Sequence, residues 1–157
     1  MMRSGASIIA PRSLAKFHGS FNMILPPTIE RWHRIALEKR ADELAGILAE
    51  DAVFESPVVH TPQTGRAIVE AYLRGALEVL NTEHFRYGEE WYGETSAVLE
   101  FFSEIEGITI NGVDIIHWNE AGLITHFKVM VWPLKAINIL HQKMGEYLMK
   151  AGAVKLR

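Results

Sequence analysis

Two strand-like runs joined by a tight turn, at residues 111–133, constrain the fold of this chain more than any other part of its sequence. Both runs are rich in β-branched and aromatic residues, and the turn at residues 119–122 reads Asn-Glu-Ala-Gly. This pattern predicts an antiparallel β-hairpin. Asp114 interrupts the first run, and strict alternation places it on the same face as Ile116 and Trp118. If that face is buried, a carboxyl group lies inside the protein, which predicts a site within a pocket.

Composition limits the kinds of protein that the chain can be. With 157 residues, of which 48% are hydrophobic and 22% charged, it is predicted to form a globular domain with a sizeable core. A formal net charge of -3 and the lack of a long basic run argue against nucleic acid as a partner. The chain has no cysteine, so disulfides and thiolate chemistry are excluded. No apolar run reaches the roughly 18 residues of a membrane span, and we expect a soluble, cytoplasmic protein.

The first 22 residues differ in composition from the remainder. They include Arg3, Arg12, Lys16 and His18 but no acidic residue. A transit peptide has this composition, and a flexible or loosely docked extension is the alternative. We expect residues 1–22 to be a basic extension without chemistry and residues 23–157 to form a single domain.

The spacing of apolar residues along that domain predicts a series of helices and strands. Thr28 comes after two prolines and is predicted to cap the first helix. Leu134, Ile137, Leu140, Met144 and Leu148 form an apolar stripe in the last helix. The remaining predicted elements are a short helix at 41–49, a strand at 51–56, a helix at 66–80, strands at 84–92, 96–106, 108–118 and 123–132, and a last helix at 133–150. They predict an α+β fold in which a curved antiparallel sheet of four consecutive strands carries helices on its concave side and encloses a conical cavity.

This arrangement, together with several short motifs, resembles the NTF2-like superfamily in its SnoaL-like and ketosteroid isomerase-like branch. The motifs are Trp32 in the first helix, Ala-Val-Phe-Glu-Ser-Pro at 52–57 with Gly-Arg at 65–66 after it, and Val-Asp at 113–114 followed eight positions later by Gly-Leu-Ile. The resemblance covers about residues 27–132. It implies a cone-shaped fold with a small apolar molecule in its pocket, a homodimer formed through the outer face of the sheet, and no cofactor. It does not fix the reaction, because the fold hosts isomerases, cyclases, dehydratases, epoxide hydrolases and non-catalytic binding proteins.

The resemblance implies catalytic roles for Asp114 and Trp32. Asp114 falls where ketosteroid isomerases keep a protonated aspartic acid that donates a hydrogen bond to the developing enolate oxygen. The apolar surroundings predicted for Asp114 would raise its pKa, because desolvation disfavours a carboxylate. Trp32 falls where those isomerases have the tyrosine of the oxyanion hole. Its indole N–H can donate a hydrogen bond but cannot exchange a proton as a phenol does.

The general base of those isomerases is missing from this sequence. Ser56 falls at the position of their carboxylate, and a serine hydroxyl does not abstract a C–H proton unaided. His60 lies in the loop after the first strand, and a histidine pKa of about 6.5 suits proton transfer at neutral pH. We therefore take His60 as the candidate base, with a solvated loop histidine as the alternative. Glu55 and His117 alternate away from the predicted cavity.

The other predicted contacts with a ligand are mostly aromatic or aliphatic. They are Ser56, Phe54, Tyr72, Phe101, Ile116, Trp118, Phe127, Val129 and Val131. Epoxide hydrolases of this fold use an Asp-Arg-Asp set, and Val129 stands where the second aspartate is expected, which argues against their chemistry. The histidines lack the spacing of metal ligands, so we expect no metal.

Two functions remain open from the sequence. In the first, the chain is an isomerase, cyclase or dehydratase that acts on an apolar enolisable substrate through Asp114. In the second, it is a non-catalytic ligand-binding or interaction module in which Asp114 is a structural acid. The two differ in whether a base reaches a ligand held by Asp114.

Overall fold

The computed structural model describes residues 25–152, so the predicted basic extension at residues 1–22 lies outside the described part of the chain. The described elements are three α-helices, one 3-10 helix and six β-strands. In chain order they are α1 (Pro27–Leu37), the 3-10 helix (Ala41–Ile47), β1 (Leu48–Glu55), β2 (Gln63–Thr64), α2 (Arg66–Leu80), β3 (Arg86–Tyr92), β4 (Ser96–Ile105), β5 (Ile108–Trp118), β6 (Ile124–Trp132) and α3 (Leu134–Lys150). No helix within residues 25–152 combines the length and the apolar character of a membrane span.

All six strands belong to one curved sheet with the order β2-β1-β6-β5-β4-β3. Strands β3 to β6 form the predicted antiparallel series, because each is joined to the next by a short turn. Strand β1 adds to this series in parallel with β6, and β2 pairs antiparallel with β1. The sequence did not predict these two pairings. The parallel strands β1 and β6 are joined by a long connection that leaves no local turn signal, and β2 is only two residues long.

The hairpin of β5 and β6 has the predicted alternation. Asp114 pairs with Val129, and Ile116 pairs with Phe127. Burial alternates residue by residue along most of β5 and along the whole of β4. The turn is held by the Asn119 side chain, whose Oδ1 accepts hydrogen bonds from two backbone N–H groups of the turn. Asp114 therefore lies on the buried face, as expected from period-2 geometry.

The helices cover this buried face of the sheet. Helix α2 packs on β1 and on α3, and α3 packs on β5 and β6. The side chains between helices and sheet form a continuous hydrophobic core, which includes Ile29, Phe54, Leu99, Phe101 and Phe127. The predicted α+β class, with helices on one face of a curved sheet, is confirmed.

The start of α1 differs from its prediction. The helix begins at Pro27, and Thr28 lies inside its first turn without capping the helix. The Thr28 hydroxyl instead donates a 3.0 Å hydrogen bond to the carbonyl of Gly122. Thr28 thus ties α1 to the β5–β6 turn, a long-range contact that no local capping rule could reveal.

Two other helical predictions need correction. The segment predicted as a short helix at 41–49 is a 3-10 helix that ends at Ile47, because Leu48 already pairs with Ile124 in the sheet. In α3, Leu134 does not belong to the buried stripe, since 70% of it is exposed. The stripe begins at Ala136, where α3 first packs against the core.

Candidate functional site

Asp114 is a buried carboxyl group with apolar neighbours on both adjoining strands. It is 6% exposed, and its cross-strand partners are Leu99 on β4 and Val129 on β6. Loss of solvation raises the pKa of Asp114 to about 8, and no hydrogen bond or cation opposes this effect. The group therefore keeps its proton at neutral pH and can act as a hydrogen-bond donor.

The carboxyl group of Asp114 lies on the wall of a small, partly open cavity. This cavity has a volume of about 30 Å3 and is much smaller than the conical cavity that the sequence predicts. Its polar wall consists of Asp114, Trp32, Tyr87 and Asn81. Its apolar wall consists of Leu73, Ala76, Leu77, Leu80, Phe85, Phe101, Phe127 and Val129. A space of this size holds molecules no larger than water, so a larger ligand requires side chains to move.

Tyr87, on β3, is a candidate functional residue that sequence reasoning missed. The Trp32 indole N–H donates a 2.8 Å hydrogen bond to the Tyr87 hydroxyl oxygen. The proton of the Tyr87 hydroxyl is then left for a second partner. Burial, followed by the nearby charge of Asp114, raises the pKa of Tyr87 well above its usual value. Tyr87 therefore stays a neutral phenol and offers the cavity a second O–H donor.

The local sequence of β3 hides the position of Tyr87. Strict alternation would place Tyr87 on the same face as Glu89 and Trp91. The pairing of β3 with β4 shifts register between Tyr87 and Glu90, so these two residues both point toward the helices. A bulge of this kind cannot be read from the pattern of β3 alone. The pairing of Tyr87 with Phe101 would have revealed the direction of Tyr87, but this pairing is known only once the register of both strands is known.

A second polar group lies beside Tyr87. His33 Nε2 is 3.1 Å from Glu90 Oε1, without the alignment of a hydrogen bond. The Tyr92 hydroxyl donates to the other oxygen of Glu90. The His33 ring is centred 4.9 Å from the Tyr87 ring. Burial lowers the pKa of His33, and Glu90 opposes this only in part. Neither His33 nor Glu90 lines the Asp114 cavity, so this group contacts Tyr87 outside the cavity.

The predicted ligand contacts divide into two sets. Phe101, Phe127 and Val129 lie on the cavity wall beside Asp114. The others lie away from this wall. Ile116 and Phe54 are enclosed in the core, and Tyr72 packs against Phe54 with 5.7 Å between ring centres. Trp118 and Val131 are half-buried at the edge of the core.

Ser56 and His60 lie in a different cleft from Asp114. This cleft, of about 500 Å3, is formed by residues 56–60 and by Ile137, Asn138 and His141 of α3. The Ser56 hydroxyl oxygen accepts a 3.2 Å hydrogen bond from the backbone N–H of Val58. His60 is exposed at the cleft. The structure therefore brings Asp114 and Trp32 together but leaves the predicted base, His60, outside their cavity.

The outer face of the sheet carries an ionic group centred on Glu55. Its carboxylate is 3.0 Å from Lys128 Nζ and 2.6 Å from His126 Nε2. These hydrogen bonds, that of Lys128 first, lower the pKa of Glu55. The His126 ring also stacks on that of His117. As alternation predicted, these groups are separated from Asp114 by the sheet. Across residues 25–152, no cluster of three or more His, Asp or Glu side chains has the arrangement of a metal site.

Comparison with known proteins places this geometry in a family. The sequence profile of the SnoaL-like domain matches residues 29–127, which include most of α1, Asp114 and most of the sheet. The chain belongs to the SnoaL-like domain family. No curated protein sequence gives a significant match to this SnoaL-like chain.

Solved structures support the SnoaL-like assignment. A steroid delta-isomerase from Pseudomonas aeruginosa is 32% identical with a TM-score of 0.76, over 81% of this chain and 93% of that one. An uncharacterized bacterial protein with a cystatin-like fold, from Silicibacter pomeroyi, is 31% identical with a TM-score of 0.75, over 81% of this chain and 89% of that one. The epoxide hydrolase/cyclase-like enzyme SalBIII, of pyran ring formation in salinomycin, is 19% identical with a TM-score of 0.55, over 69% of this chain and 90% of that one, and shares the fold.

Proposed function

We propose that this SnoaL-like protein binds a flat, mostly apolar molecule through an oxygen atom that accepts hydrogen bonds from Asp114 and Tyr87. In the catalytic form of this proposal, the protein is a cofactor-independent isomerase, cyclase or dehydratase. Its substrate would react through an enol or enolate, whose negative oxygen the two O–H groups stabilise.

The observation that carries the proposal is the isolation of the Asp114 carboxyl group. Within residues 25–152, no side chain forms an ion pair or hydrogen bond with Asp114, and its cross-strand neighbours are aliphatic. A structural buried acid is normally satisfied by a partner, because an unpaired one costs free energy. A carboxyl group left without a partner at a cavity is better explained as a donor to a ligand.

Trp32 and Tyr87 extend this donor system. The Trp32 N–H bond to the Tyr87 oxygen polarises the Tyr87 hydroxyl, and hydrogen bonds in series strengthen one another. The ring of Trp32 meets Phe127 edge to face at 4.8 Å, which fixes the indole in place. Trp32 thus acts through Tyr87, whereas the sequence-based hypothesis gave Trp32 direct contact with the substrate.

The 32% identity with a steroid delta-isomerase supports a catalytic role. A specific observation favours the alternative, a non-catalytic binding module. Besides Asp114 and Tyr87, no other side chain on the wall of the Asp114 cavity ionises, and Ser56 and His60 lie in another cleft. Proton abstraction from carbon needs a base within reach of the substrate. An experiment that detects proton abstraction therefore distinguishes the catalyst from the binding module.

We also propose that the protein forms a homodimer through the outer face of the sheet. Trp91, Met130 and Trp132 are exposed by 53%, 55% and 69% on the strands of this face. Beside them, the Arg86 guanidinium lies 4.0 Å from the centre of the Phe102 ring. Exposed aromatic and methionine side chains flanked by charges are typical of protein interfaces.

Binding of 2-naphthol tests the first proposal, because its hydroxyl mimics an enol on a flat apolar frame. We expect binding at pH 6 to 7 that weakens above about pH 8, where Asp114 loses its proton and can no longer donate a hydrogen bond to the oxygen of the probe. Tyr87→Phe should weaken binding about tenfold, the effect of one lost hydrogen bond. Tyr72→Phe is the matched control, because Tyr72 is buried but lies off the cavity wall.

Asp114→Asn distinguishes the effect of ionisation at residue 114 from the effect of side-chain shape, since asparagine has nearly the same shape as aspartic acid. This variant should bind 2-naphthol without the decline above about pH 8, since the amide does not ionise in this range. The proposal is wrong if 2-naphthol binds equally well to wild type, Tyr87→Phe and Asp114→Asn at every pH.

Deuterium exchange distinguishes the catalyst from the binding module. The protein is incubated with 2-tetralone in D2O, and loss of the proton signal next to the carbonyl is followed by NMR. Exchange faster than in buffer, and reduced in Tyr87→Phe, supports catalysis through an enolate. Saturable binding of 2-tetralone without faster exchange supports the binding module.

A further inference from the structure

A second cleft adjoins the Asp114 cavity on the side of the helices. This cleft, called the outer cleft below, has a volume of about 260 Å3 and lies where α2 approaches the 3-10 helix and α3. Its wall consists of Lys39, Ala41, Arg74, Leu77, Glu78, Asn81 and Tyr147. Ser56 and His60, the residues of the sequence-predicted mouth, are absent from this wall.

Leu77 and Asn81 line both this cleft and the Asp114 cavity. These two side chains therefore form the boundary between the two spaces. Leu77 is half-buried, and the Asn81 amide nitrogen donates to the carbonyl of Ala36 at the end of α1. A ligand that occupies both spaces would have to pass these two side chains.

The sizes of the two spaces are consistent with one ligand that occupies both. Small-molecule sites usually measure about 300 Å3 or more. The Asp114 cavity, of about 30 Å3, accommodates little more than the oxygen of a ligand. The outer cleft, of about 260 Å3, provides room for the rest. A ligand that reaches Asp114 through this boundary would thus leave its far end in the outer cleft.

The outer cleft carries more cations than carboxylates. Lys39 forms no ion pair with any residue in the described part of the chain, whereas Arg74 binds Glu70 at 2.9 Å with one of its nitrogens and retains other donors. Glu78 is the acidic member of the wall. Lys39 also has φ of 57°, a left-handed backbone conformation that glycine or asparagine adopts more readily than lysine.

We propose that Lys39 and Arg74 bind an acidic group at the far end of the ligand whose oxygen reaches Asp114. This inference rests on the proposed function and specifies its substrate class: a flat apolar molecule with an enolic or carbonyl oxygen at one end and a carboxylate at the other. The outer cleft is then the specificity site. The cleft of Ser56 and His60 takes no part in binding.

Two related probes separate the ends of the site: 2-naphthol carries the hydroxyl alone, and 6-hydroxy-2-naphthoate carries a carboxylate at the opposite end. We expect the full-length protein at pH 7 and low salt to bind the hydroxynaphthoate about tenfold more tightly, as one charge-assisted hydrogen bond would allow. This gain should shrink as salt is added. Dissociation constants are measured by calorimetry.

Lys39→Asn tests the cation without harming the fold, since asparagine suits the left-handed backbone of this position. It should remove most of the tenfold gain and leave 2-naphthol binding unchanged. Lys135→Asn, which makes the same charge change on α3 outside the cleft, should leave both affinities unchanged.

Leu77→Trp tests the route. A larger side chain at the boundary should abolish binding of both probes, with near-ultraviolet circular dichroism as the control for folding, whereas His60→Ala should bind both normally.

Equal affinities for the two probes, or a gain that survives in Lys39→Asn, would overturn the inference. If the hydroxynaphthoate binds through Lys39 while 2-naphthol does not bind, the proposed function falls and the acidic-group site remains. Failure of both probes to bind contradicts both proposals.

Discussion

Asp114 illustrates how much a single residue depends on its neighbours. A carboxyl group in water ionises near pH 4, and here burial alone moves the pKa from 3.8 to about 8. The cause lies in the facing residues of the adjoining strands, Leu99 and Val129, which replace water by hydrocarbon. Burial also raises the pKa of Tyr87, whose oxygen accepts a hydrogen bond from Trp32. The pair supplies two donors without a charge.

The pKa of Asp114 predicts an unusual dependence of stability on pH. Between pH 3.8 and about 8, the unfolded carboxyl group is ionised and the folded one is protonated, so unfolding releases a proton. Stability contributed by Asp114 is therefore complete below about pH 4 and is lost as pH rises through about 8. Relative to Asp114→Asn, wild type should lose at most about 1.4 kcal/mol per pH unit across this window.

Urea denaturation of both proteins at pH 5, 6, 7, 8 and 9 measures this difference. Because every other titrating group is shared, subtraction of the two curves isolates Asp114. A difference in free energy of unfolding that does not change with pH would show that Asp114 is ionised in the folded protein.

At the scale of elements, β5 shows why one glycine is needed for the cavity. Gly112 lies two residues before Asp114 on the buried face, and the Phe101 ring of β4 lies directly over it. A β-carbon at Gly112 would overlap Phe101 Cζ and would lie 2.7 Å from the Met130 carbonyl oxygen. The backbone oxygen cannot move without breaking the sheet, so the glycine sets the position of Phe101 on the cavity wall.

Gly112→Ala should therefore destabilise the protein by about 1 to 3 kcal/mol, the usual range for overpacking a filled core. Gly145→Ala is the matched control, since a β-carbon at this position of α3 meets no atom within 4 Å. It should stabilise the protein by about 0.5 to 1 kcal/mol through helix propensity. Thermal unfolding of both variants checks the prediction, which fails if the two alanines have the same effect.

At the scale of the whole molecule, the sheet has two faces with different tasks. The face toward the helices holds the core and the Asp114 cavity. The opposite face leaves Trp91, Met130 and Trp132 exposed beside the ionic group of Glu55. In the proposed dimer, this apolar surface would be covered and water would leave the exposed aromatic groups.

Met130→Lys should convert the proposed dimer to monomer, because it places a charge in the middle of the interface. Leu37→Lys is the matched control, since Leu37 is 54% exposed on α1 and Met130 is 55% exposed on the sheet. Sedimentation velocity at micromolar concentrations distinguishes the two states. A wild-type protein that is monomeric throughout this range would contradict the proposed dimer.

The sequence by itself determined the β5–β6 hairpin, the buried face of Asp114 and helix α2, because alternation, helical period and turn chemistry are local properties of a few neighbouring residues. Its short motifs also indicated the family, by resemblance to other SnoaL-like proteins. Only the tertiary structure decided which distant groups meet. The bulge in β3 turned Tyr87 toward Trp32, the parallel pairing of β1 with β6 added an unpredicted edge, and packing placed Ser56 and His60 apart from Asp114. These outcomes depend on register and close packing between elements far apart in the chain, where a shift of one residue changes which side chains share a cavity.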